Sequence, residues 1–209
     1  MSIRDEDVVA SLLGERVYQG VKAYVMSTGQ LGRRLDLVLL ADEQNASLTP
    51  VRAALHRLTG EGLVEAHPHE GFRIPSLTLS GLRDLYDWNR RLLLQAVPAS
   101  LAPGRLTSLG SAPMLDGPAE LQAARLFRAI AALLGNRECA RAVEGLNDRL
   151  HRIRLIELNL LDDTPDEVRC MAERLRQGDV VGLREMLQTY HRRRLKHAVE
   201  IISFAERMG

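Results

Sequence analysis

Apolar residues along the chain recur mostly at helical spacing, with one short interval of alternation near residue 65. From about Asp7 to Ser27, Val8, Leu12, Val17, Val21 and Val25 fall on one helical stripe with Leu13 and Tyr24 beside it, which predicts an amphipathic helix stopped at Gly29. Gly32 predicts a turn, and Arg33-Arg34-Leu35 a brief extended stretch. Asp36 is placed to cap a short helix over Leu37–Gln44, and Asn45 suits the tight turn after it. Ser47 or Thr49 caps the next helix, with Pro50 in its first turn, where a missing N–H costs nothing. Val51, Leu55 and Leu58 give that helix its buried stripe, and Gly60 or Gly62 ends it. Leu63–Ala66 alternates as a strand does, His67–Gly71 reads as a turn, and Phe72–Ile74 as the return strand.

Beyond residue 75 only the helical period remains. Residues 76–79 read as a linker, and Ser80 as the cap of a helix whose stripe is Leu82, Leu85, Trp88, Leu92 and Ala96. Pro98–Pro118, rich in proline and glycine, reads as a connection with at most one helical turn. Helices follow over Ala119–Leu134, stopped at Gly135-Asn136, and over Arg137–Leu161. Thr164 is read as capping Pro165–Gln177, and Asp179 as capping one last helix through about Arg207. That last helix carries the stripe Leu183, Leu187, Tyr190, Ala198, Ile201 and Ala205. The expected fold is mainly α. Residues 1–75 form a winged helix-turn-helix of three helices plus a β-hairpin wing, and residues 80–209 an antiparallel all-helical bundle.

Composition changes this picture little. Apolar residues make up 45% of 209 and charged residues 26%, an ordinary globular balance, and no apolar run approaches the roughly 20 residues that span a bilayer. The polar, acidic segment Met1–Asp7 has no apolar core of a secretory signal, so a cytoplasmic location away from membranes is expected. Cys139 and Cys170 lie far apart and read as buried structural thiols. Residues 8–75 carry seven Lys or Arg and seven Asp or Glu, so any affinity for a polyanion must come from where charges sit and not from their sum. No Ser-His-Asp set, carboxylate cluster or phosphate-cradling glycine loop is discernible, and an enzyme is not expected.

Ser47-Leu48-Thr49-Pro50-Val51-Arg52-Ala53-Ala54-Leu55-His56-Arg57-Leu58, then Glu61-Gly62-Leu63-Val64, closed by Pro68-His69-Glu70-Gly71-Phe72, resembles the signature of the GntR superfamily of bacterial regulators. Leu39-Leu40-Ala41 matches the helix before the turn. More weakly, Ser80–Ala96, Leu126-Phe127 through Leu134-Gly135-Asn136, and Gln177-Gly178-Asp179 resemble the FadR-like (FCD) branch, whose C-terminal helical bundle senses a small ligand. The resemblance implies a homodimeric regulator that binds a double-stranded DNA operator, more a repressor than an activator. The chemistry agrees at single residues. Ser47 and Thr49 stand where a helix N-terminus favours phosphate, and Arg52, one turn in, reaches a base edge or a phosphate. His69 and Gly71 form a wing tip for the minor groove, with Arg33, Arg34 and Arg73 as phosphate clamps and Arg57 as a solvated helix residue. The family's arginine between the serine and the threonine is Leu48 here, so the operator sequence does not carry over; an apolar side chain there either touches a thymine methyl or is silent.

The same resemblance implies an Asp and three His around a divalent metal inside the bundle, but those positions fall on Ala124, Arg128, Val168 and either Tyr190 or His191. At most one ligand survives, so no cofactor or metal is expected. For a small-molecule effector the candidates are Asn89, at the position of a family arginine, with Arg90, Arg128, Tyr190 and His191. Arg192-Arg193-Arg194 with Lys196 reads as a solvated basic face, His151, His191 and His197 as solvated or core-edge histidines, and Trp88 as core. Two alternatives keep the fold: a winged helix that pairs with protein instead of DNA, and a ligand-independent regulator with a degenerate sensor.

Overall fold

The computed structural model describes residues 3–27, 31–97 and 115–208, so the predicted stop at Gly29 and most of the Pro98–Pro118 connection lie outside the described residues. Among the described residues the order is α1 (Ile3–Ser27), α2 (Leu37–Glu43), α3 (Leu48–Gly60), β1 (Glu65–His67), β2 (Gly71–Arg73), α4 (Leu79–Ala96), α5 (Ala119–Leu133), α6 (Arg137–Leu160), α7 (Thr164–Gln177), α8 (Val180–Lys196) and α9 (Ala198–Met208). The mainly helical architecture with its hairpin is the expected one. The chain divides into two units, Met1–Leu77 with Glu206–Gly209, and Thr78–Ala205.

In the first unit, Val17, Tyr18, Val21 and Val25 of α1 pack with Leu40, Val51, Leu55 and Leu58 of α2 and α3. The predicted stripe on α1 fails at its start: Val8, Leu12 and Leu13 are exposed, and the helix begins at Ile3, ahead of Asp7. Asp36 caps α2 as its chemistry dictates, accepting from the N–H groups of Val38 at 2.8 Å and Leu39 at 3.2 Å. At the end of α3, Gly62 takes a φ of +72°, and the N–H of Leu63 returns to the Leu58 carbonyl at 3.0 Å. That turn drives Leu63 and Val64 into the core, so β1 starts two residues later than the alternation predicts.

The hairpin pairs Glu65 with Arg73, Ala66 with Phe72 and His67 with Gly71. The extended stretch at Arg33–Leu35 lies along β2: Arg34 bridges Arg73, Leu35 donates to the Phe72 carbonyl at 2.8 Å, and Ile74 to that of Arg33 at 2.9 Å. The wing thus rests on a third segment between α1 and α2.

In the second unit the phase of α4 differs from the expectation. Its cap is Thr78, whose hydroxyl accepts from Gly81 N–H at 3.1 Å, and not Ser80. The face turned inward carries Leu82, Tyr86, Asn89, Leu93 and Ala96, while Trp88 is 49% exposed. Two polar side chains on that inner face hide its phase from a hydrophobicity count. Helix α4 packs on α5, α6 and α8, and α5 on α6 across the turn at Gly135, whose φ is +68°. Asn136 caps α6 through Glu138 and Cys139.

Three further expectations need correction. Thr164 does not cap α7; its hydroxyl donates back to the Leu161 carbonyl at 3.0 Å, and Asp163 holds the cap position with φ +56°. The last helix is broken at His197, which leaves helical geometry and pairs with Glu200 at 2.8 Å, separating α8 from α9. Cys139 is buried, but Cys170 is exposed because it stands on the outer face of α7, opposite Val168, Met171 and Leu175.

Candidate nucleic-acid interface and a buried polar network

Helix α3 buries Val51, Ala54, Leu55 and Leu58, which leaves Ser47, Leu48, Thr49, Arg52, Ala53 and His56 exposed along the other side. Ser47 occupies the cap position in extended geometry, but its hydroxyl makes no capping bond, contrary to the capping expectation. The first-turn N–H groups of α3 therefore keep their hydrogen-bonding capacity, and Ser47 and Thr49 flank them. Pro50 removes a donor where none is needed. Leu48 is 40% exposed at the same end, an apolar contact surface in place of a cation.

The wing is oriented against this helix by a ring contact. His56 of α3 meets Phe72 of β2 edge-on, with centroids 5.0 Å apart and planes at 77°. At the tip, His69 and Gly71 adopt φ values of +65° and +87°, and Glu70 N–H closes the turn on the His67 carbonyl at 3.2 Å. Glycine at 71 meets the left-handed requirement without strain, whereas His69 adopts it against its side chain's preference.

Which cations remain free decides what this face can do. Arg57 is exposed, as expected of a solvated residue, yet its guanidinium stacks 3.5 Å above the Tyr18 ring and pairs with Glu15 at 2.8 Å and Glu61 at 3.5 Å. Lys22 and the Tyr18 hydroxyl converge on the same Glu61. Arg73 pairs with Glu70 at 3.2 Å. Arg33, Arg34 and Arg52 are exposed and have no carboxylate within ion-pairing distance among the described residues. The zero net charge of residues 8–75 thus resolves into paired charges on α1 and the end of α3, and unpaired guanidiniums on the exposed face of α3 and beside the wing.

The sequence missed a second polar feature, inside the helical unit. Arg194 of α8, expected in a solvated run, is fully buried. Its guanidinium donates to Glu157 of α6 at 2.7 Å and to Glu167 of α7 at 2.9 Å, and lies 3.2 Å above the Tyr190 ring. Tyr86 of α4 donates to the other oxygen of Glu157 at 2.5 Å. Burial opposes the charge on Arg194, but Tyr190, Glu157 and Glu167 outweigh it and raise its pKa above the ordinary arginine value. Burial first, then the Glu157 charge, pushes the Tyr86 hydroxyl well above the usual tyrosine range. Arg193 pairs with Glu167 at 3.1 Å, leaving Arg192 and Lys196 as the exposed part of the run. The only sequence signal for the pairing is the presence of Glu157 and Tyr86 on the inner faces of their helices, and it depends on phases that apolar periodicity does not fix.

Of the expected effector residues, three come together. His191 is fully buried, correcting the core-edge expectation; Nδ1 donates to the Leu187 carbonyl at 2.7 Å, and Nε2 meets the Asn89 amide at 2.9 Å. Burial, with Arg194, Arg154 and Arg90 nearby, lowers its pKa to about 3. Tyr190 packs beside it, ring centroids 5.1 Å apart. Arg90 is half-buried and pairs with Asp87 at 2.6 Å. Arg128 departs: it is exposed and forks onto Glu144 with two contacts of 2.7 Å, because its position on α5 lies outside the buried stripe of Ala123, Phe127 and Ile130. His151, expected at the core edge or in solvent, is half-buried on α6. The residues at the family's metal-ligand positions do not fit a metal, since both nitrogens of His191 are engaged and Ala124, Arg128 and Val168 offer no ligand.

Residues 13–74 match the model of "Bacterial regulatory proteins, gntR family". A curated relative, the Nta operon transcriptional regulator of Aminobacter aminovorans, is 29% identical over 139 residues, 60% of this chain and 65% of the relative, so the match spans just under two thirds of that protein's length. Among solved structures, E. coli McbR/YncC superposes with a TM-score of 0.67 at 20% identity, over 90% of this chain and 97% of that one. A structure from Rhodococcus sp. RHA1, described as a putative transcriptional regulator GntR, gives 0.69 at 15% identity, over 91% and 97%. Both share the fold with this chain. Among the described residues no helix is long and apolar enough to cross a membrane. The match to the gntR family model lies within the N-terminal unit, over its helices and hairpin wing.

Proposed function

We propose that this protein is a transcription regulator whose winged helix-turn-helix reads a double-stranded DNA operator, acting as a homodimer and more as a repressor than an activator. The observation that carries this is the exposed side of α3. Ser47, Leu48, Thr49 and Arg52 share one accessible face, and Arg52 is unpaired while Arg57, five residues further on, is engaged by Glu15, Glu61 and Tyr18. Ser47, Thr49 and the first-turn N–H groups hold a phosphate, Arg52 reads a base edge, Arg33 and Arg34 clamp the backbone beside the wing, and His69 with Gly71 enters the minor groove. Two heads related by a two-fold axis read half-sites about one helical turn apart.

The helical unit supplies the response to a small-molecule effector, at a site lined by Asn89, Arg90, Tyr190 and His191. Support comes from two buried groups that keep spare hydrogen-bonding capacity: one end of the Asn89 amide and Nη2 of Arg194 have no partner among the described residues. The test is a mobility-shift titration with DNA from the neighbouring promoter. A complex that survives excess competitor DNA at physiological salt is expected; its absence overturns the reading.

A further inference from the structure

Helix α4 is apolar on two sides. Its inner face, Leu82, Tyr86, Asn89, Leu93 and Ala96, is buried in the bundle. On the outer side Leu85, Trp88 and Leu92 follow at i, i+3 and i+7, with Trp88 49% exposed and both leucines half-buried. Of the stripe that periodicity picks out, Leu82 and Ala96 are buried and Leu92 packs on the edge of the bundle core, while Trp88 stands out into solvent. A helix with apolar stripes on both sides is one that is covered on both sides.

The charges along the outer side say what covers it. Asp84 lies one turn before Trp88 and Arg91 one turn after, on the same arc, with exposed Ser80 and Gln95 at its ends. Asp84 is exposed and has no partner among the described residues. Arg91 shares Asp87 with Arg90, so two guanidiniums stand against one carboxylate and the second half of the ridge keeps a positive surplus. Arg83 is rotated away from this arc by the helical period. Turned end for end about Trp88, the pattern matches itself to within one residue and inverts in charge: Leu85 falls beside Leu92, and Asp84 beside Arg91. A surface complementary to its own copy is the requirement for a two-fold interface.

We propose that the outer ridge of α4 docks antiparallel on the same ridge of a second copy of this chain, with Trp88 at the two-fold axis and Asp84 of each copy facing Arg91 of the other. This rests on the dimeric reading above and locates it. Trp88 is the single tryptophan of the chain, so all tryptophan emission comes from the centre of this contact.

The full-length protein is diluted stepwise and followed by light scattering after gel filtration and by tryptophan emission. The expected result is a dimer whose dissociation shifts the emission to the red. Trp88→Glu should yield a folded monomer with an unchanged helical signal, since the side chain is exposed, and with a melting temperature that no longer depends on protein concentration. Asp84→Arg and Arg91→Asp should each weaken the dimer about tenfold or more, and the double exchange should restore it. A dimer unaffected by Trp88→Glu, emission that does not follow dissociation, or a double exchange that fails to rescue overturns this interface while leaving dimeric DNA binding intact. A wild-type chain that is monomeric at every concentration overturns both this interface and the dimeric part of the proposed function.

Discussion

Arg52 and Arg194 stand on helices of similar character and have opposite fates. Arg52, on α3, is exposed and unpaired, on a face with little else to do. Arg194, on α8, is fully buried and held by Glu157, Glu167 and the Tyr190 ring. In the first unit the cations not needed for structure are left at the surface where a polyanion can reach them. In the second, charges tie three helices together, and the polar groups left over face inward. One unit is arranged to meet a large anionic partner; the other uses its arginines to hold its own interior.

The widest gap between the two regions should appear in stability. Removing one member of a buried ion pair typically costs about 3–5 kcal/mol, because the other charge is left stranded. Glu157→Leu also takes the acceptor from Tyr86 and should destabilise the helical unit by that order in urea unfolding. Arg52→Ala, at an exposed site without partners, should change stability by no more than about 0.5 kcal/mol. A Glu157→Leu protein as stable as wild type would erase the contrast.

Acid should sharpen it next. The pKa of His191 is lowered from 6.5 to about 3 in the folded chain, so its contribution to stability is complete above the unfolded value. As pH falls from about 6.5 toward about 3, the unfolded chain takes up a proton that the folded chain refuses, at a cost of about 1.4 kcal/mol per pH unit. Unfolding followed by helical signal across this window should show that slope, and His191→Gln should flatten it; an unchanged slope would assign the acid sensitivity elsewhere.

The smallest expected effect lies beside the wing. Removing one cation that holds a phosphate reduces the dependence of log affinity on log salt by about one unit. Arg33→Gln and Arg34→Gln should each lower the slope by that amount for specific and competitor DNA alike. Arg73→Gln should lower it less, because Glu70 already engages that guanidinium.

The two units are also unequally legible in the sequence. Local chemistry announces the first: Asp36 caps because its short carboxylate reaches two N–H groups, and Gly71 marks the wing because its φ is positive. These signals act within three or four residues, so the order of residues along the chain is enough. The α4 phase, the burial of Arg194 and the break at His197 depend on partners far away in sequence, such as the pairing of residues 157 and 194. Asn89 and Tyr86 make the true inner face of α4 look less apolar than its outer ridge. The partners of exposed Arg57 are hidden for the same reason: nothing nearby in the chain reveals that Tyr18 lies beneath it. The exposed face of α3 is legible residue by residue, but that Arg52 is unpaired while Arg57 is not comes only from the folded unit.

The measurement that bears most directly on this account is fluorescence anisotropy of a labelled promoter fragment at physiological salt, with unlabelled competitor, for wild type and Arg52→Ala. A bidentate arginine–base contact contributes about 1–3 kcal/mol of discrimination. Wild type should prefer the promoter, and Arg52→Ala should lose about ten- to a hundredfold of that preference while keeping its competitor affinity within a few-fold. Equal preference in the two proteins, or none in wild type, would contradict the reading of α3 as the element that recognises DNA.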